Sequence, residues 1–583
     1  MTVRLAAPAT APGMERGAVA RERTQQWLAI GIAAVLVVVL IVLPLVMLVY
    51  GSLRDAPPGL PGVFTAKNYE ILREPDFLSL VKNSLIVTCG STILAMVVGG
   101  GLAFVLVRLR MPMPRLLDML VTVPAYVTPF IGAIGWSLLL SPRVGYLNHF
   151  FELVGLPTID IYSLGGMVWV MGIYEAPIVY LYLRPALSRI DRSLEEVGRV
   201  MGASPTRTAR SIIVPLLMPA SLSALLLCFV NLLGQFGVPG VLGGPEGINV
   251  IPTYLVTLVQ QYPVNPNAAS VLGVALTVTT MVLLWVSNRV LGKRDYTTVV
   301  GKGRYEPGPT SRRMRWIGVT ICLVYVFLTE VLPMGMMFFA SFQKVFTPDF
   351  GRSGFTLANY KYVLSYPSLV TSISNTLLLA LATAVIGSVL ALLLGFIVVR
   401  TRLPGRHVVE QIAIAPLAIP PSVFGLALLW TWITVPVGVY GTLLVLLLAY
   451  LALFLPYTTR AAIGAFRQVS VDLEDASRVL GGSWLLTLRR IVAPLVGPAI
   501  LGGAIIVLYH SVRELAASLL LYAVGTQVIS VAIWEMFNEG QYLELFAMST
   551  VQVLIVLVLV LVVRLLGRRF VGVDATDGRA TPA

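Results

Sequence analysis

Apolar runs of about twenty or more residues alternate with short polar segments along nearly the whole chain. A helix of roughly twenty residues is what crosses about 30 Å of hydrocarbon. Twelve such runs predict twelve transmembrane helices, at about residues 27–50, 83–107, 116–140, 163–183, 213–238, 269–291, 316–340, 374–399, 409–433, 442–459, 495–517 and 545–566. The first is read as a retained helix and not a cleaved leader, because it is about 24 residues long, follows 26 others and lacks a small-residue cleavage pattern. The expected fold class is an all-α membrane protein.

A second pattern lies in the polar positions. "FTAKNYEIL" from Phe64 returns as "FTLANYKYV" from Phe355. Asn83, Phe104, Arg108, Arg110, Pro112, Pro124 and Pro129 recur as Asn375, Phe396, Arg400, Arg402, Pro404, Pro416 and Pro421, at a spacing of 292. Further on the spacing falls to 279, since the loop at about 141–162 is longer than its counterpart at about 434–441. Periodic hydrophobicity alone does not keep register through Pro, Asn and Arg, so the chain is a duplication. Six spans per copy is an even number, which makes the two halves a parallel repeat. The expected division is a cytoplasmic N-terminal tail (1–26), a first half (27–291), a basic cytoplasmic linker (292–315), a second half (316–567) and a cytoplasmic C-terminal tail (568–583).

Composition agrees: of 583 residues, 57% are hydrophobic and 12% charged, with a mean hydropathy of +0.86, outside the range of a soluble domain. The net charge of +14 would point to nucleic acid in a soluble protein, but here its location decides. With the N-terminus cytoplasmic, that side carries 33 of the 42 Lys and Arg residues and the opposite loops 7, with Lys82 at a membrane edge and Arg513 within a span. The bias orients the protein, both termini in the cytoplasm, and no nucleic-acid partner is expected. Cys89, Cys228 and Cys322 all fall within spans, where they act as small hydrophobes.

One charged stretch is written twice: "SLEEVGRVMGASPTRTARSIIVPLLMPA" (193–220) and "DLEDASRVLGGSWLLTLRRIVAPLVGPA" (472–499). Ser193 with Glu196 makes a capping-box pattern, Asp472 with Asp475 a weaker one, and Gly202 and Gly481 are helix stops. Two short helices are predicted, with Leu194, Val197, Val200 and Met201 on one apolar face and Leu473, Ala476, Val479 and Leu480 on the other. About two turns are too short to stand alone. Each face therefore packs either on the protein's own helix ends or on a cytoplasmic partner.

In both copies an acidic residue is followed six positions on by Gly, ten further by Ile and three further by Pro: Glu196, Gly202, Ile212, Pro215 and Asp475, Gly481, Ile491, Pro494. This resembles the EAA signature of ABC importer permeases, over roughly residues 64 to 567. The second copy keeps Ala476 after the acidic residue but has Asp475 where the family usually has Glu; the first has Val197 and Gly198 there. The resemblance implies a type I ABC importer permease fold with both half-permeases in one chain, in a bacterial cytoplasmic (inner) membrane. It implies two ATPase copies engaging Glu196, Val200, Met201 and Gly202 in one half and Asp475, Val479, Leu480 and Gly481 in the other. ATP and magnesium would sit on those partners, and a soluble or lipid-anchored binding protein would deliver the cargo.

The chain should then lack a phosphate loop. Its nearest approach, Gly301-Lys302, has Tyr296 where the first Gly belongs and Gly303 in place of Ser or Thr. His149, His407 and His510 are too scattered for a metal cluster, so no catalytic or metal residue and no cofactor is expected. A secondary transporter shares this hydropathy and repeat, but it does not explain the paired signature. A membrane scaffold does not explain the Pro and Gly residues within spans.

The stretches "GQFGVPGVLGG" (234–244) and "VRELAASLLLYAVGTQVISVAIWEMFNEGQYLELFAMS" (512–549) resemble the fused permeases of ferric-iron importers, a subfamily that shades into thiamine, 2-aminoethylphosphonate and polyamine permeases. Ferric iron is the expected cargo. Arg513 and Glu514 are candidates for the substrate path, because ionisable groups at membrane depth need a partner or water; Arg513 as a mere brace between helices is the other reading. Gln235 and Phe236 stand likewise as path residues or as helix-joining ones. Glu175 and Glu330 are left without a role.

Overall fold

A computed structural model describes Trp27 and residues 30–191, 193–291, 310–349, 354–401 and 405–571. The tail 1–26, most of the linker 292–315 and the chain from 572 onward lie outside the described residues.

The first half runs α1 (Ile30–Ser52), α2 (Pro75–Arg108), α3 (Pro114–Tyr126), α4 (Pro129–Leu140), α5 (Tyr146–Leu153), α6 (Leu164–Arg189), α7 (Ser193–Val200), α8 (Ala209–Leu233), α9 (Gly237–Gly243), α10 (Ile251–Gln260) and α11 (Pro266–Leu291). The second runs α12 (Arg312–Ala340), α13 (Ala358–Ser365), α14 (Pro367–Arg400), α15 (Arg406–Ala418), α16 (Pro421–Thr434), α17 (Leu443–Gln468), α18 (Asp472–Val479), α19 (Leu485–Val512), α20 (Ser518–Leu521), α21 (Ile529–Glu539) and α22 (Tyr542–Val571). Ten helices among the described residues are long and apolar enough to cross a membrane, and two bent pairs bring the number to twelve.

The bent pairs are where the structure departs from twelve straight spans. α3 and α4 meet at 92°, α15 and α16 at 114°. The cause is proline. Pro129 and Pro421 each open a new helix, and the residues before them, Thr128 at ψ 128° and Pro420 at ψ 137°, are extended, because a following proline disfavours helical backbone. Proline also leaves a milder mark. The π turns Val38–Val42, Ala209–Ile213, Phe327–Val331 and Leu488–Val492 precede Pro44, Pro215, Pro333 and Pro494, whose missing N–H and bulk widen the preceding turn.

The repeated asparagines close the ends of helices. Asn68 Nδ2 donates to Ser52 O and Arg54 O at 3.0 and 2.6 Å, and Asn359 Nδ2 to Ser341 O and Gln343 O at 2.8 and 2.9 Å. Carbonyls past the last turn of α1 and α12 are thereby satisfied, which lipid could not do. Asn83 Nδ2 donates to Asn249 O, and Asn375 Nδ2 to Gly525 O and Gln527 O, anchoring the segments that lead into α10 and α21.

The halves are interleaved. α1 packs on α11 of its own half and on α16 of the other, while α12 packs on α22 and on α4. Tyr174 Oη on α6 donates to Thr329 O on α12 at 2.6 Å, and Tyr325 Oη donates back to Ile173 O at 3.0 Å. Lipid tails are as apolar as leucine, so such packing and buried hydrogen bonds, not escape from water, must hold the halves together. α4 is buried along its whole length. α8 and α19 are the least buried spans, at 17% and 28% of their most apolar windows.

Candidate functional site

The signature stretches form two short helices, α7 and α18, each ended by a glycine in the left-handed region, Gly202 at φ +77° and Gly481 at φ +81°. The chain folds back there: Ala203 N donates to Gly198 O and Gly482 N to Ser477 O, both at 2.9 Å. A side chain at such a φ is strained, so the stop depends on glycine. Its consequence is that Val200 and Met201 stand 88% and 81% exposed, and Val479 and Leu480 86% and 87%. These four apolar residues are not covered by the protein's own helix ends.

α18 is bolted to the bundle by Glu474, to which the sequence pattern assigned no role. Arg400 Nε, at the end of α14, donates to Glu474 Oε1 at 2.6 Å, its second arm to Val469 O at 2.6 Å, and both side chains are under 10% exposed. The guanidinium also lies 5.9 Å from the centre of the Phe466 ring. Asp475, the acidic position of the signature spacing, is exposed. The signal for Glu474 was present: Arg400 repeats Arg108, and a cation retained at the end of a span needs a partner. The Glu196 side chain lies outside the described residues. At the entrance to α7, Asp191 Oδ1 accepts from Ser193 N at 2.8 Å, which holds the Asp191 carboxyl below the usual carboxylate range.

The other candidates gather at the far ends of the fifth spans, α8 and α19, where each meets the proline break of the opposite half. A Cβ added to Gly234 would stand 2.9 Å from Pro420 Cβ. At the equivalent place, Arg513 donates through one guanidinium nitrogen to Ala125 O at 2.8 Å and lies over Tyr509 at 5.8 Å. Phe236 is buried with its ring 5.1 Å from that of Trp534 on α21, and Phe130 lies 6.2 Å from the same indole. Gln235 is half-buried. Glu514 turns into its own segment, accepting from Ala517 N, Ser518 N and Ser518 Oγ at 2.8, 2.9 and 2.5 Å, as an N-terminal cap does for α20.

Of the two residues that the sequence left without a role, Glu175 joins this region. Glu175 Oε1 on α6 accepts from Asn231 Nδ2 on α8 at 2.8 Å. At the equivalent place in the second half, Phe454 stacks on His510 at 5.7 Å, with Tyr457 and Tyr509 at 4.8 and 4.4 Å. Glu330 lies apart, in the π turn of α12, with a buried Oε1 that has no hydrogen-bond partner.

The family described as "Binding-protein-dependent transport system inner membrane component" matches residues 91–294 and, a second time, 387–571. The chain belongs to this family. It is thus a multi-pass inner-membrane permease of the ABC importer class, with the family's unit present twice. The permease is 26% identical over 503 residues to the ferric transport system permease protein FbpB of Actinobacillus pleuropneumoniae, which covers 84% of this chain and 71% of that one. It is 24% identical over 518 residues to the Fe(3+)-transport system permease protein FbpB 2 of Haemophilus influenzae, covering 87% and 93%. The spermidine/putrescine transport system permease protein PotB of Escherichia coli is 27% identical over 265 residues, 44% of this permease but 95% of PotB.

Proposed function

We propose that this chain provides both half-permeases of a ferric-iron importer, gripped at α7 and α18 by two ATPase subunits and fed from the opposite face by a binding protein. The observation that carries the coupling is the pair of glycine-stopped helices, each presenting two apolar side chains to solvent at repeat-related positions. Exposed apolar patches in matching pairs suit a partner that comes in two copies. Closure of an ATPase dimer on ATP would draw α7 and α18 together, and Arg400 would pass the motion from α18 into α14. ATP and magnesium would belong to the partner, and among the described residues no group of three or more His, Cys, Asp or Glu could hold a metal ion.

Orientation follows the basic residues, with α7, α18 and both termini in the cytoplasm. Iron is favoured as cargo because three relatives matched across both halves are named for ferric transport, a fourth being named only as a probable ABC transporter permease, whereas PotB matches over 44% of the chain. The test is uptake of radiolabelled ferric iron in cells lacking this chain, complemented with the intact permease or with a Gly202→Glu, Gly481→Glu double variant. Uptake restored only by the intact permease supports cargo and coupling together. If the inserted, intact permease restores none, iron is removed as cargo, and thiamine, 2-aminoethylphosphonate and polyamine are tried in that order.

A further inference from the structure

The halves differ most in charge where the fifth spans end. Repeat-related positions pair Asn231 with His510, Gly234 with Arg513 and, on the fourth spans, Glu175 with Phe454. The second half therefore places a guanidinium where the first has no side chain. Arg513 gives one hydrogen bond to Ala125 O, while a guanidinium carries five N–H donors, and its side chain is only partly buried. Tyr509 lies 5.8 Å from the guanidinium, His510 stacks on Phe454, Tyr457 and Tyr509, and Glu175, held by Asn231, and Tyr457 bear on Arg513 electrostatically.

A bare trivalent cation wants several anionic oxygens. Among the described residues no group of three or more His, Cys, Asp or Glu could hold a metal ion, and the fixed cation Arg513 would repel one. We propose that Arg513 is an oxyanion-recognising residue of the transport path, and that cargo passes this level carrying an oxyanion, either as a ligand on ferric iron or as the phosphonate of an organic solute. The planar fork suits two oxygens of one anion. Glu175 offsets the guanidinium when the path is empty, so that a lone charge is not left at membrane depth. This inference rests on the importer reading and narrows its cargo.

The purified permease in nanodiscs is offered radiolabelled inorganic phosphate, and binding is measured by equilibrium dialysis. Saturable binding is expected, weakened by about tenfold or more in Arg513→Gln, as for a lost charge-assisted hydrogen bond, and largely kept in Arg513→Lys. Glu175→Gln should bind phosphate more tightly, a change that misfolding does not produce. No binding by the wild type, or equal binding by Arg513→Gln, overturns the proposal. Uptake in cells separates the sources: radiolabelled iron supplied with phosphate against radiolabelled 2-aminoethylphosphonate, each lost with Arg513→Gln. Phosphate binding without iron uptake keeps Arg513 and removes iron; iron uptake undiminished in Arg513→Gln keeps the importer and removes the oxyanion.

Discussion

α7 and α18 sit at repeat-related positions and are nearly superimposable in their chemistry: a glycine at φ +77° or +81°, a fold-back hydrogen bond of 2.9 Å and two exposed apolar residues. The far ends of α8 and α19, no less related by the duplication, have diverged into an asparagine–glutamate pair on one side and an aromatic stack with a guanidinium on the other. On the proposed function, a surface that fits the same partner twice is held constant in both halves. A passage for a single cargo carries no such constraint, because each half would contact a different side of it.

The largest effect should come from destroying the shared feature. In the Gly202→Glu, Gly481→Glu double variant uptake should fall to background while membrane insertion is retained, and each single variant should lose a comparable part. Strongly unequal single losses would show that the helices are not equivalent in use. Next comes the anchor of α18. Arg400→Ala leaves a buried carboxylate without its cation, at a cost of about 3–5 kcal/mol, visible as a lowered unfolding midpoint of the purified permease. Adding Glu474→Ala should recover most of that loss, and a double-mutant cycle without coupling would remove the anchor role.

Smaller effects belong to the contacts between halves. Tyr174→Phe removes the bond to Thr329 O and should cost about 1 kcal/mol, with uptake retained. The smallest concerns Glu514. Glu514→Gln should cost about 0.5–2 kcal/mol as a weakened cap and leave the preference between iron and phosphonate unaltered. A changed preference in an uptake competition would place Glu514 on the path and sharpen the contrast with Gln235, its repeat-related position.

Much of the fold was legible because its signals are local. Span length, the register of Pro, Asn and Arg, and glycines after short amphipathic stretches need no knowledge of neighbours. The breaks are half legible: Pro129 and Pro421 mark the repeat in the sequence, yet a proline does not announce whether a span kinks gently or turns through 92°. The anchoring role of Glu474 was not legible from helix spacing, which ranks it with Asp475 as a first-turn acid, and only the position of Arg400 shows that Glu474 faces the bundle.

By itself the sequence determined twelve apolar segments, their duplication in parallel, and two short glycine-stopped helices with apolar faces, since backbone chemistry and hydrophobic length act over a few residues; that Val200, Met201, Val479 and Leu480 stand exposed came from the tertiary structure. Tertiary structure alone decided that α1 and α12 cross to the opposite half, that Glu514 caps its own segment, and that Arg513 reaches Ala125. Tyr174 and Thr329 are 155 positions apart, and Arg513 and Ala125 are 388 apart. In a membrane, where apolar surface is satisfied equally by lipid or protein, which helix becomes the neighbour is settled by close packing and by the few buried polar groups that must find partners.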